Sequence, residues 1–330
     1  MKRIRNSAFM ALFVIAALAW GGSASGQISP GSSAPVFTLN DAKGEARDLS
    51  KAKDLPVVIL YFFAADSRPS QEGLLSLNQL MKQYPGSGLT VWAVTRSSRE
   101  AVTPFITQSG VALPVLLDQG QVSDLYQARM VLPTVCVIGP GLKVLDYFQG
   151  GGKTTEAMLV RVAERELQRK QTQTAKAIGE QVVKKNPQNV KAKAVTGYAA
   201  LKEKKVSEAE KVFTDLARKG TPGEVVGKEG LAAVYAQKGE AAKALQVAKE
   251  AEEQAPKRAY AHVVKGDILY AEGKKKEAEA EYQAAARKEE VEVYQDAVRF
   301  NQLGRYYAAA GDYGKARDLY DRAVNIDPYY

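Results

Sequence analysis

Two folded parts of different class are predicted by this sequence. An α/β domain is expected over residues 27–152 and an all-α array of helical hairpins over 190–330, with a linking helix over 153–189 between them. Three observations carry the division. Residues 30–152 alternate apolar, β-branched runs with helix-like runs, which is the pattern of a sheet covered by helices. From residue 153 the β-branched runs stop, and Ala, Lys, Glu, Gln and Tyr recur at helical spacing. Small and aromatic residues in this second half then repeat with a period of 34–38 residues.

The chain opens on a basic stretch, Met1-Lys2-Arg3-Ile4-Arg5. An apolar run from Ala8 to Trp20 follows, and then the small residues Gly21 to Gly26. That order is the pattern of an export signal peptide over residues 1–26. The apolar run is shorter than the roughly 20 residues that span a bilayer. Cleavage is expected after Gly26, the destination is expected to be periplasmic or secreted, and no stable membrane span is expected afterwards.

In the α/β part, Val57–Phe63 is apolar throughout, as a strand buried on both faces of a sheet is. Further strands are expected at Leu89–Thr95, Pro114–Leu117, Thr134–Ile138 and Lys143–Phe148. Helices are expected at Gln71–Tyr84, Arg99–Ser109 and Gln121–Arg129. Gly139-Pro140-Gly141 reads as the tight turn between the last two strands. Gln149-Gly150-Gly151-Gly152 ends the domain, and Thr154 or Thr155 is expected to cap one long helix from Thr154 to Lys185. Gly150-Gly151-Gly152-Lys153-Thr154 is not a phosphate-binding loop, because the glycine that motif needs five residues before Gly152 is Tyr147.

In the helical part Gly197, Ala209 and Phe213 are spaced by twelve and four. The same spacing holds Ala232, Ala244 and Ala248, then Gly266, Ala278 and Tyr282, then Gly304, Ala316 and Tyr320. Pro256 and Pro328 close two units, and Asn186-Pro187 closes a partial one before them. A small residue lets two helices approach, an aromatic fills the gap between units, and proline ends the second helix. Residues 190–330 therefore resemble tetratricopeptide (TPR) repeats, about four of them in a superhelix. The last unit, from Phe300 through Leu303-Gly304 to Tyr320, Ala323 and Pro328, is the closest to the pattern. Such an array presents a concave face to peptides and proteins. By repeat spacing, Tyr198, Tyr260, Asp267, Tyr270, Asn301 and Arg305 are expected to line that groove.

Residues 30–150 resemble the TlpA/redoxin type of thioredoxin-like domain. The residues that carry the likeness are Pro30-Gly31, Ala34-Pro35-Val36-Phe37-Thr38-Leu39, Pro56 through Ala64, Leu117-Asp118 and Leu132-Pro133-Thr134. The resemblance places the two redox cysteines of that family on Ser67 and Ser70, and its cis-proline on Pro133. A peroxiredoxin-like alignment places the reactive position on Ser70 or Gln71, again without sulfur. Thiol–disulfide exchange proceeds through a thiolate. A hydroxyl is far harder to ionise and forms no such bond, so the catalytic residues of the family are expected to be absent here.

Scarce residues narrow the chemistry further. The chain has one cysteine, Cys136, and one histidine, His262. No internal disulfide and no Cys/His zinc site can be built from them. Cys136 sits in an apolar strand and is expected to be buried and inert. His262 is expected on a repeat helix as a packing or surface residue, and Arg68 as a solvated loop residue. The net charge of +9 includes Lys2, Arg3 and Arg5 of the leader; residues 27–152 are balanced, with 10 basic and 10 acidic side chains. The remaining excess is spread along helices, so nucleic acid is not an expected partner. The expected function is that of an exported, non-catalytic adaptor that binds protein or peptide partners, without cofactor or metal. The alternative is a thiol-disulfide oxidoreductase-related factor in envelope protein maturation.

Overall fold

The computed structural model describes residues 27–329. The leader-like segment 1–26 lies outside the described residues. A five-stranded sheet is built from β3 (Val57–Phe63), β4 (Leu89–Thr95), β5 (Val115–Leu117), β6 (Thr134–Ile138) and β7 (Val144–Gln149), in the order β5-β4-β3-β6-β7. β3 runs parallel to β4 and antiparallel to β6, and β6 and β7 form an antiparallel hairpin. A small hairpin of β1 (Thr38–Asn40) and β2 (Ala46–Asp48) precedes the sheet. It was not expected, because three-residue strands are too short to show an alternating pattern. Its turn is closed by Asp41, whose Oδ1 accepts from the N–H groups of Lys43 and Glu45, each at 2.9 Å.

All seven residues of β3 are buried. Val57, Ile59, Tyr61 and Phe63 face one core, shared with α1 (Arg68–Gln83) and α2 (Arg99–Ser109). Val58, Leu60 and Phe62 face a second core, with Trp92, Tyr126 and Cys136. α1 starts three residues earlier than expected, at Arg68, because Pro69 suits the first turn of a helix. α3 (Gln121–Leu125) ends four residues before Arg129; the backbone turns at Gln127, where φ is 51°.

The expected helix from Thr154 to Lys185 is two helices, α4 (Lys153–Gln168) and α5 (Thr172–Lys185). Gly152 precedes α4 at φ 62°, and neither threonine caps it. The break falls at Lys170, which holds a left-handed conformation at φ 63°. The same break recurs along the array, at Lys204, Gly239, Gly273 and Gly311, with φ between 61° and 83°. Each turn closes with two bonds, one from the left-handed residue's N–H to the carbonyl three residues back and one from the next N–H to a carbonyl five residues back. The pairs of the second bond are Gln171 to Glu166, Lys205 to Ala200, Glu240 to Tyr235, Lys274 to Leu269 and Asp312 to Tyr307, all at 2.9 Å.

The linking segment is therefore a helical hairpin of the same build as the repeats. The other hairpins are α6 (Val190–Lys202) with α7 (Val206–Leu216), α8 (Glu224–Gln237) with α9 (Ala241–Gln254), α10 (Tyr260–Ala271) with α11 (Lys275–Arg287), and α12 (Val293–Ala309) with α13 (Tyr313–Ile326). The small-residue rule holds at atomic distance. The Phe213 ring lies between Gly197 and Gly230, so a Cβ on Gly230 would come within 2.1 Å of it. Tyr282 and Tyr320 lie on Gly266 and Gly304 in the same way.

One apolar core runs unbroken from β3 through α4 and α5 to α9. The array also curls back to its start. α12 packs on α4, where Gln168 Nε2 donates to the Val293 carbonyl at 2.8 Å. Near the C-terminus, Tyr329 donates its hydroxyl to the Pro56 carbonyl at 2.7 Å, and Arg169 stacks on its ring.

A left-handed lysine is strained relative to glycine by about 1–2 kcal/mol, part of which the freer unfolded glycine chain offsets. Lys204 is exposed. Lys204→Gly should therefore stabilise the protein by about 0.5–1 kcal/mol, read as a higher urea midpoint at unchanged slope. An unchanged or lower midpoint would contradict the turn geometry.

Candidate functional site

The turn that resembles a redox site lies between the end of β3 and the start of α1. Ser67 is the N-cap residue of α1, in extended backbone at φ −95° and ψ 112°, and its side chain caps nothing. Ser70 is fully buried, and its Oγ has no hydrogen-bond partner among the described residues. Tyr61 donates its hydroxyl to the Ser70 carbonyl at 3.0 Å. The Leu132-Pro133 bond is cis. The Pro133 carbonyl accepts from the Gly150 N–H at 2.8 Å. The glycine loop lies directly on the turn, since a Cβ on Gly151 would stand 2.5 Å from Pro69 Cβ and 3.6 Å from Pro133 Cδ. Gln149 to Gly152 thus does more than join two parts; at Gly151 it packs against Pro69 and Pro133, while Arg68 and Pro69 stay exposed.

This arrangement offers hydroxyls without activation. A serine becomes a nucleophile when a base takes its proton. Neither serine bonds to one, and the exposed neighbours Arg68 and Glu72 pair with each other at 2.8 Å. Cys136 is fully buried in β6, with Leu60 and Tyr147 as its strand partners. Burial, with the negative charge of Asp146, pushes its thiol up to about 12. His262 is buried in the array. Its Nδ1 lies 2.6 Å from Glu281 Oε2, and Lys265 bonds the other oxygen of that carboxylate at 2.8 Å. Among the described residues, no group of three or more His, Cys, Asp or Glu side chains converges as a metal site.

The six residues expected in the groove separate into two sets. Tyr198 does not face open space, and Tyr260 is half-buried against it. Tyr198 is buried, in edge or tilted contact with Phe213, Tyr260 and Tyr294, with ring centroids 4.8–5.6 Å apart. The inner helices α6, α8, α10 and α12 converge and α12 returns to α4, so this part of the concave face is filled by its own side chains. Asn301 is half-buried on α12 and does not line the cleft described next. Asp267, Tyr270 and Arg305 do come together, in a cleft of about 440 Å³ at the far end of the array. Tyr282, Gln302, Tyr306 and Tyr320 line it too, with two alanines, Ala271 and Ala309. Sequence reasoning placed Tyr282 and Tyr320 as packing residues only; they pack and also present a face to the cleft.

A larger cleft, about 770 Å³, lies between α5, α6 and α7. Within it Asp215 pairs with Lys193 at 2.8 Å and Arg218 at 2.9 Å. These residues read as ordinary surface charges in the sequence.

A family model for AhpC/TSA matches residues 30–146, one for a tetratricopeptide repeat-like domain matches 128–305, and one for a tetratricopeptide repeat matches 297–330. The chain belongs to the AhpC/TSA family of thioredoxin-like domains over its first part and to the tetratricopeptide repeat-like proteins over its second. It is 34% identical over 134 residues to the thiol-disulfide oxidoreductase ResA of Bacillus subtilis (strain 168), across 40% of this chain and 73% of that one. It is 31% identical over 96 residues to the chloroplastic peroxiredoxin Q of Oryza sativa subsp. japonica, across 29% and 44% of the two chains. Among solved structures, a thermophilic TPR protein of Thermus thermophilus is similar at TM-score 0.43 and 23% identity, over 52% of this chain and 92% of that one.

Two buried glutamates of α4, Glu164 and Glu166, are each pushed up to about 7 by burial, against the pull of Arg161 and Lys191 on the first and Arg169 on the second. Asp146 and Glu292 also face Glu164 and raise it further. The ordinary value is 4.5, so between pH 4.5 and 7 the folded state keeps a proton that the unfolded state releases. Stability falls as pH rises through that window. Glu164→Gln should flatten the fall. Its advantage over the parent should grow by up to about 3 kcal/mol between pH 5 and pH 8, measured by urea unfolding at each pH. A constant difference would show that Glu164 is already ionised.

Proposed function

We propose that this protein is an exported, redox-inactive binding protein. The thioredoxin-like domain serves as a folded docking platform, and the repeats hold protein or peptide partners. One observation carries the reading: hydroxyls occupy both positions of the turn, while the single thiol is sealed inside the sheet. Exposed apolar side chains beside Pro133 support the platform role, since Met130 is 87% and Val131 40% exposed. The leader pattern of residues 1–26 supports export, and no described helix is long and apolar enough to cross a membrane.

A second reading is an oxidoreductase-related factor in envelope protein maturation; of this, the name of a relative, a thiol-disulfide oxidoreductase, favours the redox part. That activity would have to run through Cys136 alone, by a mixed disulfide. Burial and a raised thiol both oppose it.

Insulin reduction by dithiothreitol separates the two readings. The full chain should leave the rate at that of dithiothreitol alone, and Cys136 should take up a thiol reagent quickly only after unfolding. Acceleration by the native protein, lost in Cys136→Ser, would overturn the proposal.

A further inference from the structure

We propose that the cleft between α10 and α12 binds a basic side chain, lysine or arginine, presented by a partner peptide. The inference rests on the repeat array being a binding surface and names what part of it recognises.

Asp267 lines the cleft and is half-buried there. Its Oδ1 accepts twice, from the Tyr282 hydroxyl at 2.7 Å and from Gln302 Nε2 at 2.7 Å. Its Oδ2 takes no hydrogen bond, and no cation of the described residues lies within ion-pair distance of the carboxylate. Three carboxylates inside the array have close cations, while Asp327, buried at its end, has none and accepts from the Tyr329 N–H at 2.9 Å. Glu229 meets Arg258 at 2.7 Å, Glu281 meets Lys265 at 2.8 Å, and Glu292 meets Lys191 at 3.2 Å. Desolvating a carboxylate without a counter-charge is costly, and a cation supplied from outside relieves that cost. Burial raises the pKa of Asp267, against the bonds from Tyr282 and Gln302 and the more distant charge of Arg305.

The walls suit the same ligand. Tyr270, Tyr282, Tyr306 and Tyr320 line the same cleft as the carboxylate. Tyrosine faces attract ammonium and guanidinium groups, and their edges pack the methylene stem of a long basic side chain. Tyr306 is held in place by its hydroxyl bond to Glu279 Oε2 at 2.9 Å. Tyr270 is 37% exposed and stands at the mouth. Arg305 is exposed and lines the same cleft, beyond ion-pair distance of Asp267 though its charge is felt there, and its Nη1 donates to Gln302 Oε1 at 3.3 Å. From there it can donate to a carbonyl of the bound segment.

The test uses the full chain and four small probes: the Nα-acetyl methylamides of arginine, lysine, norleucine and glutamate. Binding is read from shifts of the tyrosine ring signals by NMR. Arginine and lysine probes should bind about tenfold or more tightly than norleucine, which has a similar length without the charge. Asp267→Asn should remove that preference. Tyr270→Ala, at an exposed position that spares the fold, should weaken the basic probes several-fold with unchanged thermal unfolding. Equal binding of norleucine would make the cleft merely apolar, and preference for glutamate would make Arg305 its anchor; either result overturns the inference. So does an absence of shifts with every probe. An insulin-reducing protein that still takes arginine would sink the adaptor reading and leave this cleft assignment intact.

Discussion

Helix α4 lies in the one core that the sheet and the repeats share, and the rest of the molecule depends on that. Its buried residues Met158, Leu159, Val162, Ala163 and Leu167 join the core under β3, and the same core continues through α5 into the repeats. A boundary between the α/β part and the array cannot be drawn on either side of α4 without cutting packed side chains. The glycines at 150–152 follow from this. They let the chain leave β7, pass against Pro69 and enter α4 in the direction that serves the shared core.

Closure is the second consequence. Because the array starts on a helix fixed to the sheet, its last hairpin meets that helix again when it curls. The inner polar groups then become interior. Arg258 donates to both oxygens of Glu229, at 2.9 and 2.7 Å, and also reaches Glu292 on the entry to α12. Lys191 of α6 holds the other side of Glu292. A bidentate pair of this kind ties α8 to α12 through the turn before α10 and leaves little room for a partner in the middle of the concave face. What stays open is the far end, where Asp267 and the tyrosines lie, and the loop beside Pro133.

Much of this was legible in the sequence, and the failures have physical causes. The central strand, the order of strands and helices along the chain, the twelve-and-four spacing and the serines at the turn were all readable, because each rests on local pattern. The break in the expected long helix was not, because Lys170 and Lys204 occupy the left-handed position that Gly239, Gly273 and Gly311 occupy later. A lysine there carries no signal. Tyr198 and Tyr270 were assigned one role from one spacing, yet one is buried and the other stands at a cleft mouth. The difference arises from where the array closes, which no single repeat encodes. His262 and its carboxylate partners follow the same logic: the residue was visible, its burial was not.

The shared helix makes a direct demand on unfolding. Trp92 lies buried in the second core of the sheet and reports that part by fluorescence once Trp20 is replaced by Phe, while far-UV circular dichroism is dominated by the helical array. If α4 welds the two parts into one cooperative unit, both signals follow a single urea transition with one midpoint. Two transitions, with Trp92 losing its native signal while the helical signal persists or the reverse, would contradict the account.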